Sequence, residues 1–565
     1  MSIFSSISVK NPKKNAFSLS HERKMTTSFG LLAPILVEEV IPGDTFRVTS
    51  SILGRMMPTV APIMHNVDIF THFFYMPNRP LWKEWNDFYT GGDEHETDEY
   101  GNPILKNPEF PRLRINSQHP HFEAFTQLGG LADNMGLPVY QMRRIRDGYT
   151  DHEGVVHPPR NFTEDVSLLP FFAYFRIYNE WYRDQNLTKK LPDSLESRFY
   201  TFDDFDPSVW QLQYRAWKKD YFTSALPWAQ KGEELSIPLS GNAPVSIAGS
   251  ASGVPVWTQA GGGMPATPQD LRLVDSAPGL GAFIIVSGLT PGSSSQARMT
   301  VPLSASGQAD LSQASAATIN SLRYAFRLQR WLELNARAGT RINEFIKAHF
   351  GEDPGDARLQ RPEFLGGGRQ PMVISEVLQT SESGTTPQGN MSGHGVSASS
   401  IHGFSRTFKE PGYIIGIMSV VPRAEYFQGI HRHWHRFDRF DNYFPLFAHL
   451  GEQEIKNKEL VFTGQERDEE TFGYTPRYSD FRWRGDTVHG WFQDPLTLRP
   501  WTMLRELPED VELSDDFVKI YDYNQHDFGI FPVQVSEGHD RLLFQIAHDI
   551  KALRKMPKYA NPGGL

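Results

Sequence analysis

Apolar and polar residues alternate along "ILVEEVIPGDTFRVTSSIL", residues 35–53, with a break at Pro42-Gly43-Asp44. The alternation predicts two strands joined by a turn. Residues 67–75, "VDIFTHFFY", are β-branched or aromatic at both parities, which predicts a strand covered on both faces. Further strands are predicted in "GYIIGIMSVV" (412–421), "DDFVKIYDY" (515–523) and "RLLFQIAHDI" (541–550). In the last, Leu542, Phe544, Ile546 and Ile550 share a face with His548. Helical spacing is rarer. Phe171, Tyr174, Phe175, Tyr178, Trp181 and Tyr182 recur every three or four positions after Pro170, which suits a helix start and a packed core face. Leu322, Ala325, Leu328, Leu332 and Ala336 mark a second helix, with Gly339 suited to its C-terminal cap. A shorter one runs through "RINEFIKAHF" to Gly351. Residues 91 to about 160 read as polar and irregular, and "GGGRQP" (366–371) as a backbone turn needing positive φ.

Composition sharpens this into a mainly β chain with long loops. The 565 residues include 40 Pro and 46 Gly, and aromatic residues make up 13%. Zero cysteines exclude disulfides, thiolate metal sites and thiol nucleophiles. No apolar run reaches the length of a membrane span or a secretory signal, so the chain is expected in a soluble, reducing compartment. Between about 232 and 311 the chain has no Lys, and its only aromatic residues are Trp257 and Phe283. "GAFIIVSGLT" and "ARMTVPLSAS" in that stretch predict strands, so a small inserted β-rich module is favoured over a linker. Residues 1–231 and 312–565 would then form one core around it.

Net charge is −10, but both ends are basic: Lys10, Lys13, Lys14, Arg23 and Lys24 at the start, Arg554, Lys555 and Lys558 at the finish. These are the candidate DNA-facing residues. The other conspicuous stretch is "HRHWHRFDRF" (431–440). On a strand, His431, His433 and His435 would line one face, a spacing that metal sites use. Arg432 and Arg436 beside them oppose a cation, and Trp434 could stack on bases. A polar, hydrogen-bonded contact layer between subunits or loops is preferred, formed by His431, Arg432, His433, Trp434, His435 and Arg436. The acidic run "DEHETDE" (93–99) lacks the ligand order of a calcium loop. No catalytic residue, metal or cofactor is predicted.

Several long blocks carry a family resemblance: "NAFSLSHERKMTTSFGLLAPILVEEVIPGDTFRV" (15–48), "MMPTVAPIMHNVDIFTHFFYMPNRPLWKEW" (56–85), "ARLQRPEFLGGGRQPMVISEVLQTS" (357–381), "EPGYIIGIMSVVPRAEYFQGIHRHW" (410–434) and "FGYTPRYSDFRWR" (472–484). The chain resembles the major capsid proteins of Microviridae bacteriophages, in particular the gokushovirus branch. The resemblance implies an eight-stranded antiparallel viral jelly roll with long loop insertions and a few helices. It implies a structural protein and not an enzyme, forming a T=1 icosahedral shell around circular single-stranded DNA in the virion, assembled in the bacterial host cytoplasm. Implied partners are other copies of the chain, the packaged DNA, a small basic DNA-binding protein, a pilot protein, an internal scaffolding protein and a host surface receptor. Residues 232–311 fall where the family carries a three-fold protrusion, with Trp257, Phe283, Ile284 and Ile285 as its contacts. The alternative is a carbohydrate-binding protein or metal-dependent cupin-like enzyme on the same scaffold, which would need a convergent polar pocket or a metal.

Overall fold

A computed structural model describes residues 13–90, 107–232, 319–338, 360–378, 391–494, 497–520, 527–531 and 540–558, with residue 348 and short strands between 245 and 309. The chain divides into two compact units, Met1–Lys231 with Glu333–Leu565, and Gly232–Leu332.

The larger unit is built on one curled antiparallel sheet. Its strands are β1 (Asn15–Ser18), β2 (His21–Thr27), β3 (Ala33–Val40), β4 (Thr45–Met56), β5 (Val67–Pro77), β6 (Glu363–Leu378), β7 (Met391–Thr407), β8 (Gly412–Pro422) and β9 (Leu542–Arg554). The spatial order is β1, β9, β4, β7, β6, β5, β8, β3, with β2 also pairing β9. β1 lies on Lys551–Arg554 and β2 on Leu542–His548, so the two are successive pieces of one edge strand. Eight strand positions result, the mainly β jelly roll that the resemblance implies. The turn at Gly43 forms where the pattern predicts it, with Gly43 at φ +92°. The strands on either side do not pair with each other. β3 joins β8, whereas β4 joins β7 and β9, on the opposite side of the curl.

Alternation explains the core. Phe46, Val48, Ile52 and Met56 of β4 and Leu542, Phe544, Ile546 and Ile550 of β9 are buried in one apolar cluster inside the curl. Each large side chain taken from water contributes about 2–3 kcal/mol. β5 is covered on both faces. Val67, Ile69, Phe73 and Tyr75 join that cluster, while Phe74 and Met76 pack into a second one outside the sheet. The second cluster centres on helix α1 (Leu169–Ile177), which has Pro170 in its first turn and runs on through one wider turn, Tyr178–Tyr182. Phe171, Tyr174, Phe175 and Tyr178 are buried there, but Trp181 is 43% exposed. A third cluster gathers Tyr221, Phe222, Ile455, Leu460, Phe472 and Phe517.

Three expectations are corrected. Residues 107–160 are ordered rather than irregular, with a strand Arg112–Asn116 and helices Phe122–Phe125, Leu131–Met135 and Val139–Asp147. Their few apolar residues (Leu113, Phe122, Phe125, Leu131, Val139) are spent on the second cluster. "LGGGRQP" is no turn but part of β6, with a bulge between Phe364 and Gly366; the expected positive φ does occur, at Gly366 (+151°). A Cβ on Gly367 would lie 2.3 Å from the Thr71 carbonyl oxygen, so close strand approach explains that glycine. "DDFVKIYDY" opens as the short helix Asp515–Val518, because Ser514 accepts from the Phe517 N–H as its N-cap. The acidic run 93–99 lies outside the described residues, as does the helix through 341–350 apart from residue 348.

In the smaller unit, Val245–Ile247 pairs Gly307–Ala309, Trp257–Gln259 pairs Ala297–Met299, and Leu271–Val274 pairs Phe283–Val286, all antiparallel and nested. The helix Ile319–Ala338 begins in this unit and runs past its end at Leu332. Gly339, the expected C-terminal cap, lies outside the described residues.

Candidate subunit interface

The hairpin Glu452–Lys456 with Thr471–Pro476 sits over the third apolar cluster and supports the segment from His431 onward. The histidines are not on a strand. Arg432–His435 is a single tight helical turn, and the His431 ring caps it by accepting from the His433 N–H at 3.2 Å. His431 Nδ1 also lies 2.6 Å from His433 Nδ1. One imidazole nitrogen therefore accepts, and the pair holds a single proton between them. Partial burial, with His433 and Arg484 nearby, lowers the pKa of His431 below that of a free imidazole. Partial burial and Lys458 lower that of His435. Among the described residues no group of three or more His, Asp or Glu side chains is placed to hold a metal.

The turn sends alternate residues two ways. Arg432 and Arg436 point inward to carboxylates that are almost fully buried. Arg432 donates to Glu459 at 3.2 Å and to the Glu454 carbonyl at 2.6 Å. Tyr221 donates to the other Glu459 oxygen at 3.0 Å, and burial raises the Glu459 pKa. Arg436 pairs with Asp480, which also accepts from Gln453 at 3.2 Å, and its guanidinium lies 3.8 Å from the Phe481 ring centre. A buried charge that loses its partner is costly, so these pairs fix the turn in place.

Trp434 points the other way, 69% exposed, and begins an apolar strip. Phe437 (86% exposed), Phe440, Tyr443, Phe444, Leu446 (82% exposed) and Leu450 continue it. Asp438 and Asp441 form a reciprocal cap on the turn Arg439–Asp441. A contiguous run of exposed aromatic side chains held on a rigid base is the signature of a surface that another protein covers. Sequence reasoning reached the histidines but missed the strip. Its one signal is the density of apolar residues in "FDRFDNYFPLFAHL" without a helix or strand period.

The basic ends meet. Asn15 pairs with Arg554 across β1 and β9, and its amide donates to the Met556 carbonyl at 2.7 Å. Lys14 reaches across to the Thr45 hydroxyl at 3.5 Å. Lys555 lies beside Gly43, and Lys13 and Lys558 are exposed. Two of the candidates are structural. Arg554 binds the buried Asp44 carboxylate at 3.1 Å and the Glu39 carbonyl at 2.8 Å. Arg23 donates to the Asn134 carbonyl, and burial lowers its pKa. Lys24 is exposed one position on. Lys10 lies outside the described residues, and Trp257, Phe283, Ile284 and Ile285 fall on the short paired strands of the smaller unit.

Comparison with known proteins gives the same direction. The family model for the capsid protein (F protein) matches residues 5–144 and 145–564. The chain is 32% identical to capsid protein VP1 of Chlamydia phage 1, over 99% of this chain and 97% of that protein. It is 33% identical to the capsid protein VP1 of Bdellovibrio phage phiMH2K, over 91% and 90%, and 29% identical to that of Spiroplasma virus 4, over 97% and 95%. With a jelly roll beneath it and an uncovered aromatic strip on its surface, the chain belongs to the capsid protein (F protein) family, as a major capsid protein of the Microviridae type and gokushovirus branch.

Proposed function

We propose that copies of this chain close into a T=1 icosahedral shell around circular single-stranded DNA, as a structural protein without enzymatic activity. The observation that carries the self-assembly is the exposed strip from Trp434 to Leu450, on a base fixed by Arg432–Glu459 and Arg436–Asp480. His431, His433 and His435 belong to that contact layer. The basic residues of the two ends, Lys10, Lys13, Lys14, Lys24, Lys555 and Lys558, face the lumen and neutralise phosphate without reading sequence. Arg23 and Arg554 hold the edge strand that presents them. With a net charge of −10 the coat leaves most DNA neutralisation to a small basic partner protein. Assembly in the host cytoplasm uses an internal scaffolding protein, and a pilot protein travels with the genome. The module at 232–311 forms a three-fold protrusion through Trp257, Phe283, Ile284 and Ile285, and contributes to attachment to a host surface receptor.

Sedimentation of the full-length protein tests this. Wild type should sediment as closed particles under assembly conditions, and Phe437→Asp with Leu446→Asp should remain as small soluble species with unchanged circular dichroism. Particles from the double variant at wild-type yield would place the contacts elsewhere.

A further inference from the structure

On the outer face of β5 and β8, away from the strip, a cavity of about 680 Å³ opens beside α1. Its polar lining is dominated by donors. Arg215 lies in it; among the described residues its guanidinium makes one hydrogen bond, Nη1 to the Ser419 hydroxyl at 2.8 Å, and stands 4.1 Å from the Phe70 ring centre. Among the described residues no carboxylate pairs with it, and burial lowers its pKa. A half-buried guanidinium beside an aromatic face, with N–H groups left over, is an oxyanion receptor awaiting its anion. The backbone on either side is fixed: the Arg215 N–H donates to the Gly30 carbonyl at 2.7 Å, and the Arg215 carbonyl accepts from Ile520 at 2.8 Å.

His72 supplies the second donor. Its Nδ1 lies 2.7 Å from the Tyr182 hydroxyl. Burial raises the tyrosine pKa, so the phenol keeps its proton and donates it to Nδ1. The neutral ring then carries its hydrogen on Nε2, which has no hydrogen-bond partner among the described residues. Burial and the nearby Arg215 charge hold His72 neutral, with a pKa of about 4. The one carboxylate in the lining among the described residues, Asp184, is already occupied by Lys219 at 2.6 Å and by the backbone N–H groups of Asn186 and Leu187. Above the donors stands an aromatic rim. Phe364 (45% exposed) is 5.8 Å from the His72 ring and 5.8 Å from Trp181.

We propose that this cavity binds an oxyanion carried on an aromatic ring, with Arg215 and His72 holding the phosphate or carboxylate oxygens and Phe364 and Trp181 packing against the ring. The site is independent of the assembly reading, which uses none of these residues. Calorimetric titration of the full-length protein in Tris at pH 7.5 with phenyl phosphate, benzoate and inorganic phosphate tests it. Phenyl phosphate should bind saturably at one per chain, and Arg215→Gln should weaken it at least tenfold. Phe364→Ala, at an exposed position, should weaken phenyl phosphate several-fold and leave inorganic phosphate unchanged. Benzoate binding as well as phenyl phosphate identifies a general oxyanion receptor; phenyl phosphate alone identifies a phosphate ester site. The proposal is overturned by absence of saturable binding of both aryl ligands to folded wild type. It is equally overturned by wild-type affinity in a folded Arg215→Gln protein, or by Phe364→Ala binding phenyl phosphate unchanged should that protein not fold.

Discussion

His548 illustrates how one residue on an apolar face becomes a pH sensor of the fold. Alternation along β9 places it inward, and it is 2% exposed. Its Nε2–H donates to the Ile35 carbonyl at 3.1 Å, and its Nδ1 accepts from the Ser50 hydroxyl at 2.8 Å. This neutral ring bridges β9 to β4 and to β3. Burial first, and then His21 with its ring centre 5.1 Å away, lower the pKa to about 4. The unfolded chain therefore binds a proton between about pH 6.5 and pH 4 that the folded chain refuses, and stability falls as pH drops through that window. The whole effect is about 3 kcal/mol, the cost of lowering the imidazole from its ordinary value to about 4. Thermal unfolding of the soluble subunit should show a melting temperature that falls between pH 7 and pH 4.5. In His548→Gln, which retains a donor and an acceptor, the fall should be clearly smaller. An unchanged pH slope in that variant would assign the sensitivity to other groups, His72 first among them. The inward position of His548 was legible from the sequence, since it shares a parity with Leu542 and Ile546. Its partners were not, because Ser50 and Ile35 come from strands about 500 residues away.

Elements with a strict period were legible, and those defined by an interruption of the period were not. β4, β5, β8 and β9 follow alternating or doubly apolar runs, and α1 follows its aromatic stripe. β6 and β7 are long strands rich in Gly and Ser, "EFLGGGRQPMVISEVL" and "MSGHGVSASSIHGFSRT", which local propensity argues against. Pairing on both sides overrides that propensity, since β7 is held by β6 and β4 and β6 by β7 and β5. The glycines serve the bends. The β4–β7 register slips between Ile401 and Phe404, and a Cβ on Gly403 would lie 1.5 Å from the Val48 carbonyl oxygen. That slip returns Phe404 to the interior cluster. Gly403→Ala cannot be accommodated by a rotamer change, because the clash is with backbone. It should destabilise the subunit by about 3 kcal/mol or more, read as a lower denaturant midpoint. A neutral result would mean that the two strands can separate there without loss of pairing.

At the scale of the whole molecule, the organisation follows from strands drawn from both ends of the chain with large excursions between them. β1 to β5 come from the first 77 residues and β9 from the last 24, so any excursion must leave and return without disturbing the pairing. The stretch from 232 to 311 meets that condition. Each of its described strands pairs with another strand of the same stretch, in nested antiparallel order. The change of composition marks the stretch, which lies within the smaller unit Gly232–Leu332; the nesting could not be read from tracts of Gly, Ser and Ala, which carry no period. The described strands of the stretch add none to the large sheet. Shortening the connection is also inexpensive, since loop closure changes by only about 0.6 kcal/mol per doubling of length. Replacing residues 232–311 with a short Gly/Ser bridge should therefore leave a soluble subunit with wild-type near-ultraviolet circular dichroism, dominated by Trp82, Trp210 and Trp217 in the larger unit. On the proposed function, the bridged subunit should still form particles, because the strip from Trp434 to Leu450 is intact, while adsorption of those particles to host cells should be lost. Insoluble subunits would show that the stretch is needed to fold the jelly roll, and unchanged adsorption would place receptor contact on another surface of the shell.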